Sequence, residues 1–173
     1  VIAPADATEV REVITWAAEY KGPVYVRVSR ANLPVIFKEG EYKFNPKKAV
    51  VMKEGKDVTV VTNGETTCEV VEAAKMLEAE GISVEVVHAP VVKPLDTETI
   101  VNSAKKTNRV ITVENHSIIG GLGGAVCEAL SENYPVKVSR IGINDQFGQT
   151  GTASELMEYY GLSDRDVQAI GGN

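Results

Sequence analysis

The sequence predicts an α/β fold: three layers, α/β/α, around a mostly parallel sheet, preceded by the last helix and strand of a truncated second α/β domain. Three observations carry this expectation. From Asp57 onward, β-branched runs alternate with longer helical patterns, which is how βαβ units read. The stretch from Val110 to Gly124 passes from apolar strand to glycine turn to helix, the layout of a crossover connection. Residues 1–30 offer one helix and one strand, too little to bury a core by themselves.

Taken in order, Pro4-Ala5-Asp6-Ala7 is a turn leading into a helix. Asp6 or Thr8 can cap it, Glu9 places negative charge in its first turn, and Gly22 ends it. Val10, Val13, Ile14 and Ala17 recur at helical spacing. A strand is predicted over 24–30, with Val24, Val26, Val28 and Arg30 on one side. Residues 1–36 therefore read as the remnant of one domain, 37–49 as an interdomain linker, and 50–173 as the main domain. The linker reading rests on the change of character from Phe37 to Lys56, which carries Gly40, Pro46 and Gly55, many Lys and Glu and few aliphatics, over a stretch longer than the about 12–15 residues of ordinary loops.

Within the main domain, a short strand is expected over 48–52 and a stronger one over 58–62. A helix over 68–79 carries Val70, Val71, Ala74, Met76 and Leu77 on its inner stripe. Then follow a strand over 82–89, a helix capped by Asp96 that runs through Lys105, and the strand 110–113. The chain turns polar at Glu114-Asn115-His116-Ser117, passes Gly120, Gly121, Gly123 and Gly124, and re-enters a helical pattern at Ala125. A strand over 136–143, a loop over 145–151 and helices beginning at Ser154 and Ser163-Asp164 complete it.

Composition excludes several function classes. The 173 residues carry 43% hydrophobic and 24% charged side chains, ordinary for a globular protein. A net charge of −6 without a basic cluster argues against a nucleic-acid surface. No apolar run approaches the roughly 18 residues of a membrane span, and no signal peptide is visible. Cys68 and Cys127 read as buried thiols of a reducing, cytoplasmic compartment, not as a disulfide. Neither histidine has cysteines at metal-ligand spacing.

The glycine cluster misses the dinucleotide fingerprint, because Val126 stands where its last glycine or alanine belongs. Glu114 and His116, two apart on an extended segment, can be read as an acid–base pair. The plainer reading has Glu114 accepting backbone N–H bonds from the glycine turn, with His116 solvated or at an interface. A third reading makes the helix start after Gly124 an anion-binding or dimerising surface without catalysis.

Several segments together resemble the C-terminal part of a transketolase. They are Pro4–Val10, Val28-Ser29-Arg30-Ala31-Asn32-Leu33-Pro34, Val60-Val61-Thr62-Asn63-Gly64 and Lys93-Pro94-Leu95-Asp96. Thr112-Val113-Glu114-Asn115-His116 with Gly120-Gly121-Leu122-Gly123, and Asp145-Gln146-Phe147-Gly148 with Gly151, complete the set. The glycine turn and the Glu-Asn-His segment look more like the split, two-subunit transketolases than the long single-chain enzymes.

The resemblance implies the end of a pyrimidine-binding domain followed by a transketolase C-terminal domain. It implies transfer of a two-carbon ketol unit from a ketose phosphate to an aldose phosphate, with thiamine diphosphate and Mg²⁺ in the complete enzyme. The family's cofactor and metal ligands fall outside this sequence, so no cofactor is expected on this part alone and no residue here is expected to be catalytic. Arg30 matches the family's substrate-phosphate arginine, while Arg27 reads as structural. Glu114, His116, Gly120, Gly121 and Gly123 are expected to serve the fold or an interface. The implied partners are a second copy in a homodimer, an N-terminal diphosphate-binding subunit or domain, and sugar phosphates. Synthases of 1-deoxyxylulose 5-phosphate and the β subunits of 2-oxoacid dehydrogenases share this domain type and are alternatives.

Overall fold

Period-two alternation along the strands sends apolar side chains to both sides of a sheet, so that sheet must be covered twice. The computed structural model describes residues 1–171 and has this arrangement. Helix α1 (Ala7–Glu19) precedes β1 (Val50–Lys53), β2 (Val58–Thr62), α2 (Thr66–Ala79) and β3 (Val84–His88). After these come α3 (Thr97–Thr107), β4 (Val110–Ser117), α4 (Leu122–Asn133), β5 (Val138–Ile143), α5 (Ala153–Tyr159) and α6 (Asp164–Gly171). The strand order is β1-β3-β2-β4-β5; β2, β3, β4 and β5 run parallel, and β1 closes one edge antiparallel to β3.

Two apolar layers follow from the alternation. Val58 and Val60 of β2, with Val84, Val86, Ile111, Val113 and Ile141, face α2 and α6 through Val70, Ala74, Leu77 and Val167. Val61, Val87 and Val110 face α3 and α4 through Ile100, Ala104, Leu122, Val126 and Leu130. Among the described residues no helix is long and apolar enough to cross a membrane. The predicted end of the main domain at Asn173 lies outside the described residues.

The structure corrects four local expectations. Over 24–30 there is no strand: Ile2 makes an isolated bridge with Val26, and Val28, Ser29 and Arg30 are exposed. A ladder needs continuous partners, and Ile2, flanked on its other side by Val91, supplies one residue. Strand β4 runs on through the polar residues to Ser117, with a register shift against β5 after Val113. Helix α4 starts at Leu122, so Gly123 and Gly124 lie in its first turn despite their poor helix propensity. Both cysteines are free and half-buried rather than buried. The Cys68 thiol donates to the Glu65 carbonyl at 3.0 Å, and burial, with Glu69 beside it, pushes its pKa up to about 11.

The N-terminal segment is fastened to the sheet by buried polar groups. Asp6 caps α1 by accepting from the Glu9 amide at 2.8 Å, and its other oxygen accepts the amides of Ile36 and Phe37, each at 2.8 Å. Glu9 is fully buried. It accepts from the Ala5 amide at 2.7 Å and the Tyr42 hydroxyl at 2.5 Å, and its Oε2 lies 2.8 Å from His88 Nε2 at the end of β3. His88 Nδ1 lies 3.0 Å from the Thr67 hydroxyl on α2. A ring protonated on Nε2 satisfies both contacts by donating to Glu9 and accepting from Thr67. Residues 37–49 carry no helix or strand.

Burial opposes the Glu9 charge, but His88, Tyr42 and the Ala5 amide outweigh it and hold this carboxyl below its ordinary 4.5. A depressed carboxylate stabilises the fold above its unfolded pKa and loses that contribution as the pH falls through the folded value. Glu9→Gln is therefore expected to cost about 1–3 kcal/mol near neutral pH. In urea unfolding followed by circular dichroism, the gap between native chain and variant should narrow as the pH drops below 4.5; a constant gap would show that the charge contributes nothing.

Candidate functional site

The carboxyl ends of β2, β3, β4 and β5 form one rim of the sheet, where open α/β folds place their ligands. The N-terminal segment crosses this rim. The Ala3 amide donates to the Pro90 carbonyl at 2.8 Å, and the Gly64 amide, just past β2, donates to the Ala3 carbonyl at 3.0 Å. Together they wall a groove of about 290 Å³ lined by Arg27, Ser29, Arg30, Gly64, Glu65 and Asn115, with Pro4 and Val28 at its side.

Each groove residue is held differently. Arg27 is half-buried and its Nη1 donates to the Asn115 carbonyl on β4. Its guanidinium lies over Gly64, whose φ of +59° belongs to the left-handed region that glycine enters freely. Ser29 accepts from the Ala31 amide at 3.1 Å and donates to the Glu65 carboxylate. Arg30 is exposed and makes no hydrogen bond or ion pair among the described residues. Its planar donor fork faces the groove's own solvent and suits a phosphate, sulfonate or carboxylate group.

Glu114 and His116 occupy the other half of the rim, beside the glycine turn. The Glu114 carboxylate is buried and takes both leading amides of α4: Oε2 accepts from Leu122 at 2.6 Å and Oε1 from Gly123 at 2.8 Å. Burial raises its pKa, against the pull of those two amides, His116 and Arg27. His116 is exposed, with Nδ1 2.8 Å from the Ser117 carbonyl and 4.0 Å from Glu114 Oε2. Both carboxylate oxygens are thus spent on the backbone, and the pair has no proton-transfer geometry. The same contacts take two of the leading amides of α4, those of Leu122 and Gly123.

The glycines of this turn have separate roles. Gly120 has a φ of +75°, which reverses the chain between β4 and α4. Gly121 has an ordinary φ of −98°, but a Cβ there would overlap the Glu114 carboxylate. Gly123 lies against the Thr112 hydroxyl and the Arg140 side chain. No group of three His, Cys, Asp or Glu among the described residues could hold a metal ion. The described residues thus offer no acidic cluster for the metal that accompanies thiamine diphosphate, and no step through that cofactor is assigned to them.

Sequence reasoning singled out Arg30 but missed Glu65 and the Asn115 carbonyl. No local pattern marks a carbonyl as an acceptor for an arginine 88 positions away. Glu65 follows Gly64 at a helix start, which reads as ordinary first-turn charge.

Residues 47–167 match the family described as transketolase, C-terminal domain. A solved structure described as a split gene transketolase, inactive beta4 tetramer, is 48% identical and superimposes with a TM-score of 0.92 over 99% of this chain and 55% of its own. A protein of Methanocaldococcus jannaschii, provisionally named a transketolase C-terminal section, is 45% identical across 96% of this chain and 52% of its own length. The 1-deoxy-D-xylulose-5-phosphate synthase of Heliobacterium modesticaldum is 40% identical across 98% of this chain and 27% of its own length. The chain thus spans about half the length, or less, of these relatives.

Gly121→Ala is expected to displace Glu114 and break its two charge-assisted amide contacts, at a cost of about 1.5–3 kcal/mol. Gly124→Ala, where a Cβ meets nothing within 4 Å, should instead stabilise α4 by up to about 1 kcal/mol. Equal urea midpoints for the two variants would contradict this account of the turn.

Proposed function

We propose a function on the premise that the chain belongs to the transketolase family, through its C-terminal domain. On this reading it is the part of a thiamine-diphosphate-dependent transferase that helps assemble the enzyme and holds the anionic end of the substrate. The reaction moves a two-carbon ketol unit from a ketose phosphate to an aldose phosphate. The cofactor supplies the carbanion chemistry when bound elsewhere in the complete enzyme, with Mg²⁺ on its diphosphate. The partners are an N-terminal diphosphate-binding subunit or domain and a second copy of the chain, in a cytoplasmic enzyme.

The single observation that supports the site is Arg30: an exposed guanidinium, without a protein partner among the described residues, in a groove at the carboxyl rim of the sheet. Arg27 lines the same groove but is committed to Asn115, so it adds positive potential without a free fork. In this reading residues 1–36 end one domain, 37–49 link it to the next, and the main domain begins at 50. Glu114, His116, Gly120, Gly121 and Gly123 shape the turn and any interface near it. Ketol transfer is preferred to the deoxyxylulose-phosphate reaction on the Ser29–Pro34 segment, which resembles that of transketolases.

Arg30→Ala in the complete, two-part enzyme is expected to raise KM for phosphorylated sugars by about tenfold or more, the equivalent of about 1.5–3 kcal/mol for a charge-assisted contact. Unphosphorylated sugars should be affected much less. Steady-state ketol-transfer assays with both substrate types decide the point: equal losses would make Arg30 a structural residue. A reaction that releases carbon dioxide from pyruvate in place of ketol transfer would favour the synthase alternative.

A further inference from the structure

The groove that contains Arg30 also contains a carboxylate. Glu65 stands at the N-cap position of α2, yet its side chain makes no capping hydrogen bond. Ser, Thr, Asp or Asn at such a position would turn back onto the helix amides. The longer glutamate side chain instead lines the groove and accepts the Ser29 hydroxyl proton. Ser29 is itself fixed by accepting from the Ala31 amide at 3.1 Å, so its only proton is committed to Glu65. No cation pairs with Glu65 among the described residues, and neither Arg27 nor Arg30 forms an ion pair with it. A half-exposed negative charge is therefore held in the groove where an anionic substrate end would settle beside Arg30.

We propose that Glu65 is a specificity-determining residue that subtracts charge from the groove and narrows its preference for dianions over singly charged terminal groups. The inference rests on Arg30 being the substrate-anion contact. Coulomb repulsion scales with ligand charge, so a phosphate dianion meets about twice the opposition that a monoanion such as a sulfonate meets at the same place. The Ser29 hydroxyl reinforces this effect, because an incoming anion must compete with Glu65 for its proton.

The test titrates the full chain with ethyl phosphate and with ethanesulfonate at about pH 8, where the phosphate monoester is fully dianionic. Amide shifts at Gly64 and Thr66 report binding. Glu65→Gln, which keeps the shape and removes the charge, should tighten ethyl phosphate about three- to tenfold and ethanesulfonate about two- to threefold. The preference for the dianion then rises, and the rise shrinks in high salt. Glu65→Asp, whose shorter side chain turns back onto the helix amides, should shift the ratio in the same direction as Glu65→Gln but by less. An unchanged ratio in Glu65→Gln, with Arg30→Ala still weakening both ligands, overturns the role of Glu65 and leaves that of Arg30 standing. Unchanged binding of both ligands in Arg30→Ala, or no binding to any of these proteins, overturns both.

Discussion

The contact between Glu9 and His88 holds the rim of this molecule together. One partner belongs to the first turn of α1 and the other ends β3, 79 positions along the chain, and both are fully buried. The segment that carries Arg27, Ser29 and Arg30 is tied on from the same side by backbone bonds through Ile2 and Ala3, by Arg27 on the Asn115 carbonyl and by Ser29 on Glu65. The groove wall is thus not part of the sheet but a strap laid across its carboxyl ends. Its position is set by polar groups that have nowhere else to go: a buried carboxylate needs partners, and Ala5, Tyr42 and His88 are the ones within reach.

Two helix starts on the same rim use carboxylates in opposite ways. At α4 the Glu114 side chain reaches back from β4 and takes the amides of Leu122 and Gly123, so the positive end of the helix is neutralised from inside. At α2 the glutamate sits at the helix start itself but leaves the amides alone and bonds to Ser29 across the groove. The first arrangement ties two helix amides to a carboxylate of the chain itself and holds the glycine turn against β4. The second leaves charge in an open groove, where it acts on whatever approaches Arg30.

Most of the fold was legible in the sequence because it rests on alternation. The valine pairs of β2, β3 and β4 and the stripes of α2, α3 and α4 announce a sheet covered on both faces, and the structure has that sheet. What was not legible depends on atoms far apart in sequence. The helical start at Leu122 looked too glycine-rich to be helical, and it is helical because a carboxylate eight positions earlier caps it. The run over 24–30 looked like a strand, but no ladder meets it beyond Ile2, and its burial does not alternate past Val26. Glu9 reads as first-turn charge, and nothing local says that it touches His88. In the groove, Arg30 was visible through a family resemblance, whereas Glu65 matters only through its neighbour Ser29 in space.

The strap also sets an order of events during synthesis. Residues 1–19 leave the ribosome well before the segment from Val84 to Lys93, which supplies Pro90, Val91 and His88 as their partners. Translation proceeds at about 5–20 residues per second, so residues 1–19 wait several seconds before Val91, the packing partner of Ile2 and Val13, is made. A helix of this length is marginal alone in water. In the nascent chain, α1 therefore docks late although it is made before β1 to β5, and the groove closes only after β3 exists.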